Sequence, residues 1–189
     1  MAGIYIHIPY CKQACTYCNF HFRISQKDKK KMFKCIKMEL ELRQSYLKNK
    51  TVKTIYFGGG TPSILEKTEI KSILNKIYKT FKIYKNAEIT LECNPDDLTK
   101  KKLIALKEVG INRLSIGVQS FEEEDLKFMN RSHNANQSES CIKMAQQIGF
   151  NNITIDLIYG LPNQSLADWK KNLKKMFALD IPHFSSYAL

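Results

Sequence analysis

The stretch "CKQACTYC" places Cys11, Cys15 and Cys18 within eight positions. Thiolates bind soft metals, and three of them fall one ligand short of a tetrahedral zinc site. Three thiolates can instead hold one iron each of a cubane 4Fe-4S cluster, whose usual complement is four. The fourth iron then keeps an open position, which is what separates a catalytic metal site from a structural one. Two other readings stand beside this one. Zinc could take the three thiols together with His21 of "CNFH", although the spacing is tight for a structural zinc module. The thiols could also be inert neighbours. Elsewhere, Cys35 and Cys141 fall on apolar faces of predicted helices and read as small core residues. Cys93 follows a strand and could be core or site wall.

Short β-like runs alternate with helical patterns along the chain, and these elements must position the thiols. The strand candidates are "IYIHI" (4–8), "TIYFG" (54–58), "EITLE" (88–92), "RLSIGVQ" (113–119), "NITIDLIY" (152–159) and "HFSSYA" (183–188). Between them run helical stripes such as Ile70, Ile73, Leu74, Ile77 and Leu166, Trp169, Leu173, Phe177. Gly110 and Gly149 each close a helix before a strand, and Asp97 or Thr99 caps a helix starting near residue 100. Strand–helix repetition of this kind predicts an α/β fold with a parallel sheet, doubly wound or barrel-like.

Strand faces sharpen that expectation. Parallel strands covered on both sides read as unbroken apolar runs, and these do not. Ile4, Ile6 and Ile8 oppose Tyr5 and His7, while Ile89 and Leu91 oppose Thr90 and Glu92. Leu114, Ile116 and Val118 oppose Ser115, Gly117 and Gln119, and Ile153, Ile155 and Leu157 oppose Thr154 and Asp156. A closed eight-stranded barrel fills its lumen with apolar side chains. Six strands with one polar face predict an open, partial (β/α)6 barrel with outer helices and a ligand in its hollow. Gly58, Glu92, Gln119 and Asp156 lie at or near the carboxyl ends of their strands, where such folds place chemistry.

Composition bounds the rest. The 189 residues, 43% of them apolar, suit one domain with a real core. The formal charge of +12 invites a nucleic-acid reading, but it comes from scattered lysines, with only four arginines to fork phosphate or bases. We therefore expect no nucleic-acid partner, and the block "QKDKKKMFK" reads as an exposed helix start. No run has the length of a membrane span and no leader is read at the N-terminus, so the expected setting is a reducing cytoplasm with at most peripheral membrane contact.

The motifs "GIYIHIPYC", "CKQACTYC", "YFGGGTPS", "LECNPDDLT", "RLSIGVQSF", "NRSHN" and "IDLIYGLPNQS" occur in order from about residue 3 to the end. Together they resemble the radical S-adenosylmethionine superfamily, within it the family of the oxygen-independent coproporphyrinogen III oxidase and the haem chaperone HemW. The resemblance implies that Cys11, Cys15 and Cys18 hold the cluster and that S-adenosylmethionine takes the fourth iron. Tyr5, Tyr17, Gly59, Gly60, Thr61, Glu92, Gln119, Arg131 and Asp156 match the family's contacts to that cofactor, with Ala188 a late backbone contact. It also implies one-electron chemistry, in which a reduced cluster cleaves the sulfonium and a 5′-deoxyadenosyl radical abstracts hydrogen.

Within the family, Phe20 stands where the oxidase type carries a further cysteine, and this chain enters its first strand at once, without a long leading segment. "ECNP", "IGVQSF" and His133 are similar to the chaperone branch. We favour haem handling, with haem or a porphyrinogen as ligand, a reductant protein for the cluster and an apoprotein that accepts haem. The family's C-terminal domain, with its haem-binding motif, is not in this sequence, which is expected to be either an excised portion or a reduced protein lacking part of its substrate site. Residues 1–189 would then be the radical S-adenosylmethionine core, with its lateral opening uncovered and its cluster sensitive to oxygen.

Overall fold

The protein is described here by a computed structural model covering residues 2–48 and 50–189. Six strands, β1 (Ala2–Ile8), β2 (Val52–Gly59), β3 (Ile83–Cys93), β4 (Arg113–Gln119), β5 (Ile153–Tyr159) and β6 (His183–Ala188), pair in chain order. Every pairing is parallel. The connections carry α1 (Lys29–Leu42), α2 (Lys67–Thr80), α3 (Lys100–Glu108), α4 (Glu123–Phe128), α5 (Ala135–Ile148) and α6 (Leu166–Ala178). A doubly wound sheet would need a reversal of strand order. With no reversal, right-handed crossovers all lay their helices on one face, and the sheet curls into an open partial barrel.

The register explains the two faces. Ile6, Phe57, Leu91, Leu114 and Ile153 stand side by side across five strands, all buried beneath the helices. One residue further on, Glu92, Ser115, Thr154 and His183 form a polar row on the inner face. The stripe Ile70, Ile73, Leu74, Ile77 on α2 is fully buried against the apolar side, as its spacing predicts. Thr99, not Asp97, caps α3, accepting from the Lys102 amide, and Gly149 closes α5 at φ 90°. The lysine-rich block is indeed the exposed start of α1.

Two expectations are corrected. Cys35 is exposed on α1, whereas Cys141 is buried. On α6, Leu166 and Phe177 are 68% and 69% exposed, while Asn172 and Met176 are the buried residues. Trp169 and Leu173 are half-buried, the Trp169 ring 5.5 Å from that of Tyr159. The helix is rotated from its apolar stripe because Asn172 has backbone work inside. Its Oδ1 accepts from the Phe121 amide at 2.6 Å and from Ser120 Oγ at 3.2 Å, and its Nδ2 donates to Asp168 O. These bonds fasten the turn after β4, where the site begins.

Replacing Asn172 with Leu leaves the buried Phe121 amide without an acceptor, which costs about 1–3 kcal/mol. Urea unfolding of Asn172→Leu is expected to show that loss; a variant as stable as the parent would refute this role.

Candidate functional site

Loops at the carboxyl ends of the strands enclose a cavity of about 530 Å³, a volume typical of small-molecule sites. Cys11, Cys15, Cys18 and Tyr17 wall it from the loop after β1, and Gly59, Gly60 and Thr61 from the end of β2. Glu92, Gln119, Asp156 and Ala188 come from β3 to β6, and Arg131 from the loop after α4. Tyr5 is the exception among the residues matched to cofactor contacts by sequence. Its ring stacks on Tyr56 and its hydroxyl lies 3.1 Å from His7 Nδ1, outside the cavity wall. Cys93 is core and wall at once, being 4% exposed and part of the lining.

The cysteine loop is braced by the glycine loop. The Gly60 amide donates to Ile8 O and the Thr61 amide to Tyr10 O, both at 2.8 Å, and Thr61 Oγ1 donates to Cys11 Sγ at 3.3 Å. A Cβ on Gly60 would come within 2.9 Å of Cys11 Sγ and of Tyr10 O, so only glycine lets the two backbones close. Gly59 adopts φ +116°, and its amide donates to Glu92 Oε2 at 3.0 Å. Tyr56 Oη donates to the other Glu92 oxygen at 2.8 Å.

Arg131 ties the opposite wall together. Its Nη1 lies 3.3 Å from Cys15 Sγ and 3.2 Å from Tyr17 Oη, and its Nη2 donates to Asn94 Oδ1 and Gly117 O, both at 2.8 Å. Its Nε is buried with no partner. Gln119 reaches the wall from a kink, since the pairing of β4 with β5 slips between Ile116 and Gln119 and Gln119 itself takes φ 64°. His133 secures that kink from behind. With its proton on Nε2 it donates to Val118 O at 3.1 Å, and it is only 4% exposed.

Electrostatics follow from depth. Burial pushes the Cys11 thiol up, against the Thr61 hydrogen bond and the nearby Arg131 charge, which favour thiolate. Burial opposes charge on Arg131, but Tyr17 and Cys15 beside it outweigh that cost and its pKa rises. Glu92 is raised by burial and by Asp156, and opposed by its bonds from Tyr56 and Gly59. Asp156 is raised by burial, with His183, Arg113 and Arg131 pulling it back. Burial, then Arg131, lowers His133 to about 4.

This donor set fits a cubane better than a single ion. Among the described residues, no three His, Cys, Asp or Glu side chains converge on one metal position; a cubane asks one sulfur of each iron and needs no such convergence. The Cys3His zinc set is not assembled, because His21 is exposed with its ring 6.3 Å from that of His7 and is no part of the lining. Thr61 and Arg131 place hydrogen-bond donors on Cys11 and Cys15 sulfur, the kind of outer-shell partner that orients metal-binding thiolates.

The sequence profile of the radical SAM superfamily matches residues 5–176. The chain belongs to that superfamily, whose members bind a 4Fe-4S cluster and S-adenosylmethionine. It is 36% identical over 191 residues to the haem chaperone HemW of Bacillus subtilis, covering 100% of this chain and 50% of that protein. It is 38% identical to the HemW of Buchnera aphidicola from Acyrthosiphon pisum, over 99% of this chain and 50% of that protein. The chain thus spans about half the length of the curated relatives it matches. Among solved structures, the coproporphyrinogen III oxidase HemN of Escherichia coli superposes with a TM-score of 0.88 at 29% identity, covering 98% of this chain and 43% of that one.

Sequence reasoning passed over Asn94 and Tyr56, the residues that hold Arg131 and Glu92. Both positions were readable in principle, Asn94 as the first residue past β3 and Tyr56 by inner-face parity on β2.

Two outcomes are expected here. Overpacking costs about 1–3 kcal/mol, so Gly60→Ala should weaken cluster retention roughly tenfold; iron per chain after anaerobic reconstitution measures it, with circular dichroism to confirm the fold. His133 supplies a pH dependence. Between pH 6.5 and about 4 the unfolded chain binds a proton that folded His133 refuses, so stability falls as pH drops through that window. His133→Gln removes the titrating group, and the variant should lose up to about 3 kcal/mol less than the parent between pH 7 and pH 4, read by urea unfolding at each pH.

Proposed function

We propose that this chain is the cluster-bearing core of a haem chaperone of the HemW type, working in a reducing cytoplasm. The observation that carries the reading is identity of more than a third to HemW proteins along the whole chain. Phe20, in place of the oxidase-type cysteine, points the same way. Free thiols and the lack, among the described residues, of a helix long and apolar enough to cross a membrane are compatible with that setting.

In this reading Cys11, Cys15 and Cys18 would hold three irons of the cluster and leave one iron for S-adenosylmethionine. When bound, the cluster supplies single-electron reduction of the cofactor's sulfonium. The chain's own residues bind and orient. Arg131 would meet the cofactor's carboxylate, with its Nη1 also against Cys15 Sγ. Glu92 and Asp156, half-buried on the inner face, would receive ribose hydroxyls or the ammonium. Tyr17, Gln119, Ala188 and the backbone of Gly59, Gly60 and Thr61 shape the remaining wall and exclude water. Tyr5 acts from outside, packing on Tyr56, which orients Glu92. Haem, a reductant protein and a haem-accepting apoprotein are the proposed partners.

A second reading is supported by the close superposition on HemN: decarboxylation of coproporphyrinogen. Anaerobically reconstituted chain separates the two. The chaperone reading expects a coloured, iron-loaded protein that shifts the Soret band of added haem and passes that haem to an apoprotein. Carbon dioxide release from coproporphyrinogen without haem retention would establish the oxidase instead. Colourless protein carrying stoichiometric zinc under strict anaerobiosis would defeat both.

A further inference from the structure

Helix α4 ends in an unusual way. The Asn130 amide donates to Lys127 O at 3.0 Å and the Arg131 amide to Leu126 O at 2.9 Å, the paired bonds of a Schellman cap. That cap needs a left-handed residue just past the helix, normally glycine, and here Asn130 takes φ 52°. A side chain at such a position is tolerated only at some cost, and this one is engaged. Asn130 Nδ2 donates to Ala14 O at 2.7 Å, and its Oδ1 accepts from Gln13 Nε2 at 2.7 Å. Both partners lie between Cys11 and Cys15.

The same loop finishes the helix. Carbonyls at a helix C-terminus have no partner within it. Here Thr16 Oγ1 donates to Phe128 O at 3.2 Å, the Thr16 amide to Met129 O at 3.1 Å and Gln13 Nε2 to Asn130 O at 2.9 Å. Three successive carbonyls from the last residue of α4 onward are thus capped by the segment that carries the cysteines. The arrangement is mutual, since the loop supplies donors to the helix end and Asn130 returns one to the loop backbone. Arg131 follows directly and reaches Cys15 Sγ, so the register of this cap also sets where the guanidinium meets the thiol.

We propose that Asn130 is a positioning residue, a clasp that holds the three-cysteine loop in its cluster-ready shape before any metal arrives. Glycine in its place would keep the Schellman cap and lose the grip. The clasp rests on the cysteine loop being the cluster loop, but its test reads the apo chain and does not require a cluster to assemble.

The experiment is per-cysteine alkylation of the metal-free, reduced chain, followed by mass spectrometry, for the parent and Asn130→Gly. Exposed Cys35 serves as the reagent control, and buried Cys93 and Cys141 report global opening. Loss of two hydrogen bonds at a partly exposed loop predicts about three- to tenfold faster labelling of Cys11, Cys15 and Cys18, with Cys93 and Cys141 unchanged. A double variant with Gln13→Ala should add less than the sum of the two single effects, since both sit in one network. Equal labelling of the three loop thiols in parent and Asn130→Gly overturns the clasp. So does a rise that Cys93 and Cys141 share, because Asn130 would then be acting on the whole fold. If labelling rises selectively and no cluster can be loaded into the parent, the clasp stands and the functional reading falls.

Discussion

A single guanidinium holds the working end of this molecule in shape. Arg131 touches the cysteine loop through Cys15 and Tyr17, the end of β3 through Asn94 and the end of β4 through Gly117. These segments are distant in sequence, and the one side chain joins them. The planar fork of arginine suits the task, since its donors point in fixed directions and cannot be neutralised. Burying such a charge is unfavourable unless its donors are met, and here the neighbours meet all but Nε. What lets the fold hold the arginine is therefore the set of neighbours that meets its two Nη groups.

That guanidinium can sit where it does because the sheet has only one greasy side. Strands paired in chain order receive all their helices on one face, and the other face is free to carry Glu92, Ser115, Thr154 and Asp156. The carboxylates, forced into a low-dielectric setting, are held up by burial and restrained by hydrogen bonds and cations around them. A ligand bearing an ammonium and a carboxylate matches such a lining better than a neutral one.

Much of this was legible from residue pattern. Alternation along four strands announced the polar interior and the barrel-like curl, and the stripe on α2 lay where its spacing put it. The cysteines, the glycine loop, Glu92, Gln119, Asp156 and Arg131 converge on one cavity, while Tyr5 stays outside it. The failures have physical causes. On α6, the stripe of Leu166, Trp169, Leu173 and Phe177 follows hydropathy alone, whereas the Asn172 amide satisfies backbone groups inside, and the helix turned to suit it. Cys35 falls on an apolar face of its helix by spacing, but exposure on α1 depends on how that helix docks. The supporting residues, Asn94, Tyr56 and Asn130, have no spacing signature, because their partners are fixed by tertiary proximity alone.

The two margins of the sheet carry one last implication. Among the described residues, β1 and β6 each pair with a single neighbour, so the ring of strands is not closed. In a closed barrel, strand number and stagger dictate the bore. Here no such relation applies, and the width of the hollow depends on how tightly the outer helices bend the sheet. Side-chain volume beneath α2 or α5, far from any ligand, thereby becomes a determinant of what the interior can admit.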